Sequence, residues 1–129
     1  MKGIHLLGDL DGCECDEALL RSRDVVERLL LGECRAAGLT VVASEFHQFG
    51  SRDAPAGVTG VVLLEESHAC VHTWPERRCV TLDVYVCDVT RDNSQAAQAL
   101  FERVMNAFAP RRADTSTVHR GAAKAASSA

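Results

Sequence analysis

The chain has 129 residues, 47% hydrophobic and 25% charged, with a formal net charge of -4 and a pI near 5.7. That composition fits one globular domain with a core large enough to fold without disulfides or metal. The acidic balance and scattered arginines exclude the continuous basic surface that a nucleic-acid backbone requires, so no nucleic-acid partner is expected.

The first twenty residues carry Asp9, Asp11, Glu14, Asp16 and Glu17, which leaves neither a signal-peptide core nor a membrane span. No membrane partner and a cytoplasmic location are expected. In such a chain the six cysteines are expected to be free thiols, metal ligands or catalytic groups rather than a disulfide framework. Gly3 to Asp11 reads as a strand, ended by Gly12 and the short segment Cys13 to Asp16. A helix is predicted from about Arg23 to Ala37, where Val26, Leu29, Leu30, Cys34 and Ala37 recur at three- and four-residue steps. Gly38 follows in the position that favours glycine after a helix. Leu39 to His47 reads as a Val-rich strand. Gln48 to Gly57, with Gly50, Pro55 and Gly57, reads as a loop.

Three strands are predicted in quick succession, at Val58 to Leu64, His68 to Thr73 and Cys79 to Cys87. In the last, Val80, Leu82, Val84 and Val86 alternate with Cys79, Thr81, Asp83, Tyr85 and Cys87. That pattern puts an aliphatic face on one side and a polar, reactive face on the other. A second helix starts near Asn93 and Ser94, both good caps, with Ala97, Leu100, Phe101, Val104, Met105 and Phe108 as its apolar stripe, and Pro110 ends it. Ala113 to His119 reads as a final strand. The order predicts an α+β two-layer sandwich, a mainly antiparallel sheet with two helices on one face. One domain spans residues 1–120, and the tail at 121–129, GAAKAASSA, is expected to be disordered.

The densest chemistry lies in EESHACVHTWPE, residues 65–76, which holds the only tryptophan and two of the five histidines. As a strand it projects His68, Cys70 and His72 to one face. Two imidazoles and a thiol are good zinc ligands, and Cys13 and Cys15 are further candidates. Against zinc, alternate strand positions lie about 7 Å apart, and Cys-X-Cys is a weaker signal than paired Cys-X-X-Cys elements; no metal is assigned. Taken singly, His68 and His72 read as ordinary strand histidines, Cys70 as a small hydrophobe and Trp74 as core. Taken together, Glu65-Glu66 before Ser67-His68 sets a hydroxyl and a candidate base at a sharp corner between strands. The Gly-x-Ser-x-Gly elbow of many serine hydrolases is absent.

VTGVVLLEESHACVHTWPE, running on to LDVYVC, resembles the prokaryotic S-adenosylmethionine decarboxylases. Their signature is a Gly-Val-Val-rich strand, Glu-Ser-His, His-Thr-Trp-Pro-Glu, then Asp-hydrophobic-aromatic-x-Cys. The likeness extends to Gly3, His5, Gly12, Cys13 and the Phe46-His47-x-Phe49 segment, and so covers most of residues 3 to 119. It implies that Ser67 attacks the Glu66 carbonyl and that the chain cleaves itself between Glu66 and Ser67. The products are a β chain, 1–66, and an α chain, 67–129, that begins with a pyruvoyl group made from Ser67. His72 matches the family's proton acceptor in processing. Thr59 stands where the family usually has a serine hydroxyl that assists it. The pyruvoyl carbonyl would take the substrate α-amine as a Schiff base and accept the electrons released as carbon dioxide leaves. Cys87 matches the proton donor, and strand alternation independently puts it on the polar face.

Phe49 and Trp74 are the candidate rings for an adenine and a sulfonium, with Glu76 as acceptor for ribose hydroxyls. The resemblance further implies S-adenosylmethionine as substrate, a place in spermidine biosynthesis and a homodimer of cleaved protomers. Three stretches depart from the family pattern: Asp88 replaces a common glycine after Cys87, Arg77-Arg78-Cys79 replaces an aromatic-Gly-aromatic turn, and Asp9-Leu10-Asp11 stands where an aromatic is frequent. They keep open an L-ornithine or L-arginine decarboxylase on the same scaffold; a non-catalytic regulatory relative is the alternative from another class.

Overall fold

The computed structural model describes residues 1–89 and 91–121; of the tail predicted to be disordered, all but Gly121 lies outside that range. The six strands are β1 (Gly3–Asp11), β2 (Val41–Gly50), β3 (Pro55–Leu64), β4 (Ser67–Trp74), β5 (Cys79–Cys87) and β6 (Arg112–Arg120). They form one sheet in the order β2-β3-β4-β5-β1-β6, and every pairing is antiparallel. Helices α1 (Glu17–Arg21), α2 (Arg23–Ala36) and α3 (Ser94–Phe108) pack on one face of it. This is the expected two-layer α+β sandwich, with a short third helix added.

Alternation decides which face the helices cover. Ile4, Leu6 and Leu10 of β1, Ala69 and Val71 of β4, and Val80, Leu82, Val84 and Val86 of β5 are buried. They meet Val26 and Leu30 of α2 and the stripe of Ala97, Leu100, Phe101, Val104 and Phe108 on α3. Each fully buried aliphatic side chain contributes about 2 kcal/mol. The intervening strand residues face away from the helices. Position 60, on the covered side, is glycine because Phe46 packs over it; a Cβ there would run into that ring.

The differences from the predicted elements have local causes. Helix α1 is too short to carry a periodic signal. It forms because Asp16 caps it, Oδ1 accepting from the Ala18 N–H at 2.9 Å, while Leu20 is buried. The loop predicted over Gln48 to Gly57 shrinks to a turn at residues 51–54, since Gln48 and Gly57 are both strand residues. The Gln48 amide stitches this corner together. Its Nε2 donates to the carbonyls of Arg21 at 2.6 Å and Gly57 at 2.9 Å, and its Oε1 accepts from the Arg23 N–H at 2.7 Å. Gly38, at φ +80°, ends α2 as predicted. Among the described residues no helix is long and apolar enough to cross a membrane.

Thr73 is the buried polar link between α1 and the sheet: its hydroxyl donates to the Leu20 carbonyl at 2.7 Å and accepts from the Val58 N–H at 2.9 Å. Thr73→Val keeps the shape and orphans both backbone groups. It is expected to cost about 1–3 kcal/mol, read as a lower urea midpoint at unchanged slope.

Candidate active site

Strands β3 and β4 are joined by the two-residue turn Glu65–Glu66, with Leu64 opposite Ser67. Glu66 is left-handed, at φ 53°. A residue with a Cβ adopts that conformation at a cost of about 1–2 kcal/mol, so the Glu66–Ser67 bond follows a strained residue. The Ser67 hydroxyl accepts from the Cys87 N–H at 3.3 Å, which couples the start of β4 to the end of β5. Cys87, 5% exposed, is the buried exception on the polar face of β5. Its carbonyl accepts from Asn93 Nδ2 at 3.1 Å, and Asp88 Oδ1 accepts from the Asn93 N–H at 2.8 Å. Burial pushes the Cys87 thiol pKa up, and the carboxylates of Glu66 and Asp88 push it further. The thiol is therefore protonated at neutral pH, as a proton donor requires. A cavity of about 130 Å³ opens here, lined among others by Thr40, Glu66, Ser67, Cys87, Arg91 and Asn93.

Thr59 and His72 face each other across β3 and β4, with Thr59 Oγ1 3.0 Å from His72 Nδ1. The His72 ring lies 6.1 Å from Trp74, and His47, opposite Thr59, lies 4.7 Å from Phe49. Trp74 is 41% exposed and Phe49 47%, so neither is core. Phe46, another aromatic on this segment, is buried under the helices instead. Glu76 follows in the 3₁₀ turn Pro75–Arg77. His72 is five residues beyond Ser67 on the same strand, which puts the two about 16 Å apart.

The predicted residues thus gather at two ends of β4. Glu66, Ser67 and Cys87 meet at one, Thr59, His72, Phe49 and Trp74 at the other, and the single chain does not join them. On the helix-free face beside Cys87, His5 and Arg120, to which sequence reasoning gave no role, gather with Tyr85 and with His68, read there as a candidate base. His5 packs edge-on to His68 and Tyr85 at 6.1 and 5.9 Å, and Arg120 lies 5.1 Å over the Tyr85 ring. His5 Nε2 is buried without a hydrogen-bond partner, 3.9 Å from Asp83. Burial, and then His5, hold the His68 pKa down. Strand parity, read across β1, β4 and β5 together, is the signal that could have found this cluster. Among the described residues no three His, Cys, Asp or Glu side chains converge to hold a metal ion.

A profile of the S-adenosylmethionine decarboxylase family matches residues 4–121. The chain belongs to the S-adenosylmethionine decarboxylase family. It is 40% identical over 119 residues to the S-adenosylmethionine decarboxylase proenzyme of Persephonella marina, covering 92% of this chain and 82% of that one. The proenzyme of Aquifex aeolicus is 41% identical over 119 residues, covering 92% and 81%. The crystal structure of the adenosylmethionine decarboxylase from Aquifex aeolicus superposes with a TM-score of 0.78 at 34% identity, over 92% of this chain and 90% of that one. The fold and the proenzyme motif therefore go together, and this chain is a pyruvoyl-dependent decarboxylase proenzyme of the prokaryotic type.

Against that family pattern, Arg78 has a visible structural use. It is left-handed at φ 48°, and its guanidinium donates to the carbonyls of Cys13 and Cys15, each at 2.5 Å, and to Glu17 Oε1 at 2.9 Å. The turn after Trp74 thereby clamps the segment that leads into α1. Asp11, in the other departing stretch, accepts from the Cys79 thiol at 3.3 Å.

Proposed function

We propose that Ser67 is the processing serine, that cleavage falls between Glu66 and Ser67, and that the mature protein decarboxylates S-adenosylmethionine at a site shared by two copies of the chain. The observation that carries this reading is the single corner where left-handed Glu66, Ser67 and buried Cys87 meet, the Ser67 hydroxyl accepting from the Cys87 backbone N–H.

In processing, Ser67 Oγ attacks the Glu66 carbonyl carbon and the chain passes from amide to ester, which relieves the left-handed turn. Removal of the Ser67 Cα proton then breaks the Cβ–O bond and frees Glu66 as a carboxylate. One water enters and one ammonia leaves, so the α chain begins with a ketone in place of an amine. The base assigned to the proton is His72, positioned by the Thr59 hydroxyl. Because the chain's own His72 is about 16 Å away along β4, the partner's His72 serves Ser67, and the reverse holds by symmetry.

The residues of this corner fit such a group: the serine precursor borders a polar cavity and a protonated thiol lies alongside. The Ser67-derived carbonyl supplies the electron sink for loss of the substrate carboxylate. Cys87 returns the proton at the substrate α-carbon. Phe49 and Trp74, exposed at the His72 end, are assigned to the adenine and sulfonium, and Glu76 to the ribose hydroxyls.

Side-by-side carbon dioxide release from S-adenosylmethionine, L-ornithine and L-arginine tests the substrate. Release from an amino acid alone would overturn the assignment, and release from none by a fully cleaved protein would favour a regulatory relative. The thiol carries a pH signature as well. Asp88→Asn keeps the acceptor for the Asn93 N–H but removes a charge that raises the Cys87 pKa. The thiol then ionises earlier, so the alkaline limb of kcat is expected to move to lower pH, read from the pH–rate profile of the cleaved enzyme.

A further inference from the structure

Processing leaves a charge that decarboxylation does not use. Once the Glu66 carbonyl is freed, the β chain ends in a carboxylate beside Cys87, among the side chains of Glu65, Glu66 and Asp88. The new terminus cannot move off. Glu65 stays fixed, its N–H donating to the Thr40 carbonyl at 3.2 Å, and the one residue beyond it spans at most about 3.6 Å. Negative charge crowded in this way repels a further carboxylate unless a cation faces it.

Among the residues that line the cavity of about 130 Å³ at this corner, Arg91 is the one cation. Its guanidinium is already fixed: Nη2 donates to the Gly38 carbonyl at 3.1 Å and Nε to Asn93 Oδ1 at 3.0 Å. Asn93 in turn donates to the Cys87 carbonyl. Among the described residues Nη1 has no acceptor. Tying the end of α2 to the start of α3 therefore uses only two of the five N–H donors of the group. The amino terminus, which pulls the Cys87 pKa down, is another cation near this corner, but it lines no part of the cavity.

We propose that Arg91 is the binding site for the carboxylate released at Glu66, holding the new end of the β chain through Nη1, away from Cys87 and from the carboxylate of the substrate. The proposal rests on the processing reading and extends it past the cleavage step. Before cleavage the Glu66 carbonyl is a neutral amide, so Arg91 has no part in the cut itself. Afterwards the pair is a charge-assisted hydrogen bond, the stronger kind.

Protein grown with glutamate labelled with ¹³C at its backbone carbonyl tests this. Every labelled carbonyl is then an amide except the Glu66 terminus of the cleaved β chain, so one signal titrates. In the cleaved parent its midpoint is expected below the ordinary value for a chain terminus, about 3.5. Arg91→Gln should still be cut, by intact mass, and its midpoint should rise by about one unit or more, a ten-fold or larger gain in proton affinity. Arg91→Lys, which keeps the charge, should fall between the two. A midpoint that does not move in Arg91→Gln overturns the site and leaves processing standing. A folded Arg91→Gln chain that stays uncut also overturns it, since the role begins only after cleavage. If Arg91→Gln does not fold by circular dichroism, the parent decides: a midpoint below about 3.5 supports the site, and one at or above it overturns it. A parent with no titrating signal and a single mass, as in Ser67→Ala, would mean that processing itself fails, and both readings fall.

Discussion

Ser67→Ala is expected to give one uncut chain of 13.9 kDa, where the parent gives two fragments meeting between Glu66 and Ser67. The intact mass of the denatured protein reads this directly. In the parent, the fragment beginning at position 67 should resist Edman degradation and be lighter by one ammonia, with one water added across the pair. Decarboxylation by the Ser67→Ala protein should fall by about 10⁶-fold or more, the low end of what enzymes achieve, because without the new carbonyl nothing accepts the electrons. The size of the effect follows from the chemistry: the substitution removes the precursor of the cofactor, whereas loss of a binding contact would weaken affinity. A parent chain that stays uncut and yet releases carbon dioxide from S-adenosylmethionine would overturn the assignment of Ser67.

The second large effect is all-or-none and depends on two chains at once. His72→Ala alone should remain uncut, since both sites of its dimer lack the base, and Ser67→Ala alone should remain uncut for want of the hydroxyl. Mixed dimers combine Ser67 of the first chain with His72 of the second in one of their two sites. Cleavage of the His72→Ala chain should therefore appear only on co-expression, while the Ser67→Ala chain stays whole. Mass spectrometry tells the two apart. A His72→Ala chain that cuts itself without a partner would mean that another group removes the proton. An uncut mixture of well-folded dimers would mean that the two ends of β4 do not meet across subunits. The distance is what makes this test sharp: about 16 Å along a strand is far beyond any side-chain rearrangement within one copy.

Several features of this protein were legible without coordinates because they depend on short-range order. Strands β1 and β5 run between the residues predicted for them, Gly3–Asp11 and Cys79–Cys87, the second from its alternation. The stripe on α3 is the buried one, apart from the half-buried Met105. The motif from Glu65 to Glu76 pointed to the family through its residue types and their order, Glu-Ser-His followed by His-Thr-Trp-Pro-Glu. The polar side of β5 was legible too, since side-chain direction along a strand has a period of two residues.

Other features were not legible, because they arise between segments. Helix α1 forms through a cap and one buried leucine, too short for periodicity. The long loop predicted at Gln48 to Gly57 contracts because the Gln48 amide meets a helix terminus distant in sequence. Trp74, open to a core reading from its neighbours, lies on the face that no helix covers. Above all, the motif reads as one site, but a strand is extended, and about 3.3 Å per residue carries His72 away from Ser67 as surely as the sequence keeps them close. The sequence by itself determined the family, the neighbours of Ser67 and the alternation of the sheet. Only the tertiary structure decided that Cys87 closes on Ser67 while His72 does not, because antiparallel register joins the ends of β4 and β5 and extension separates the two ends of a single strand.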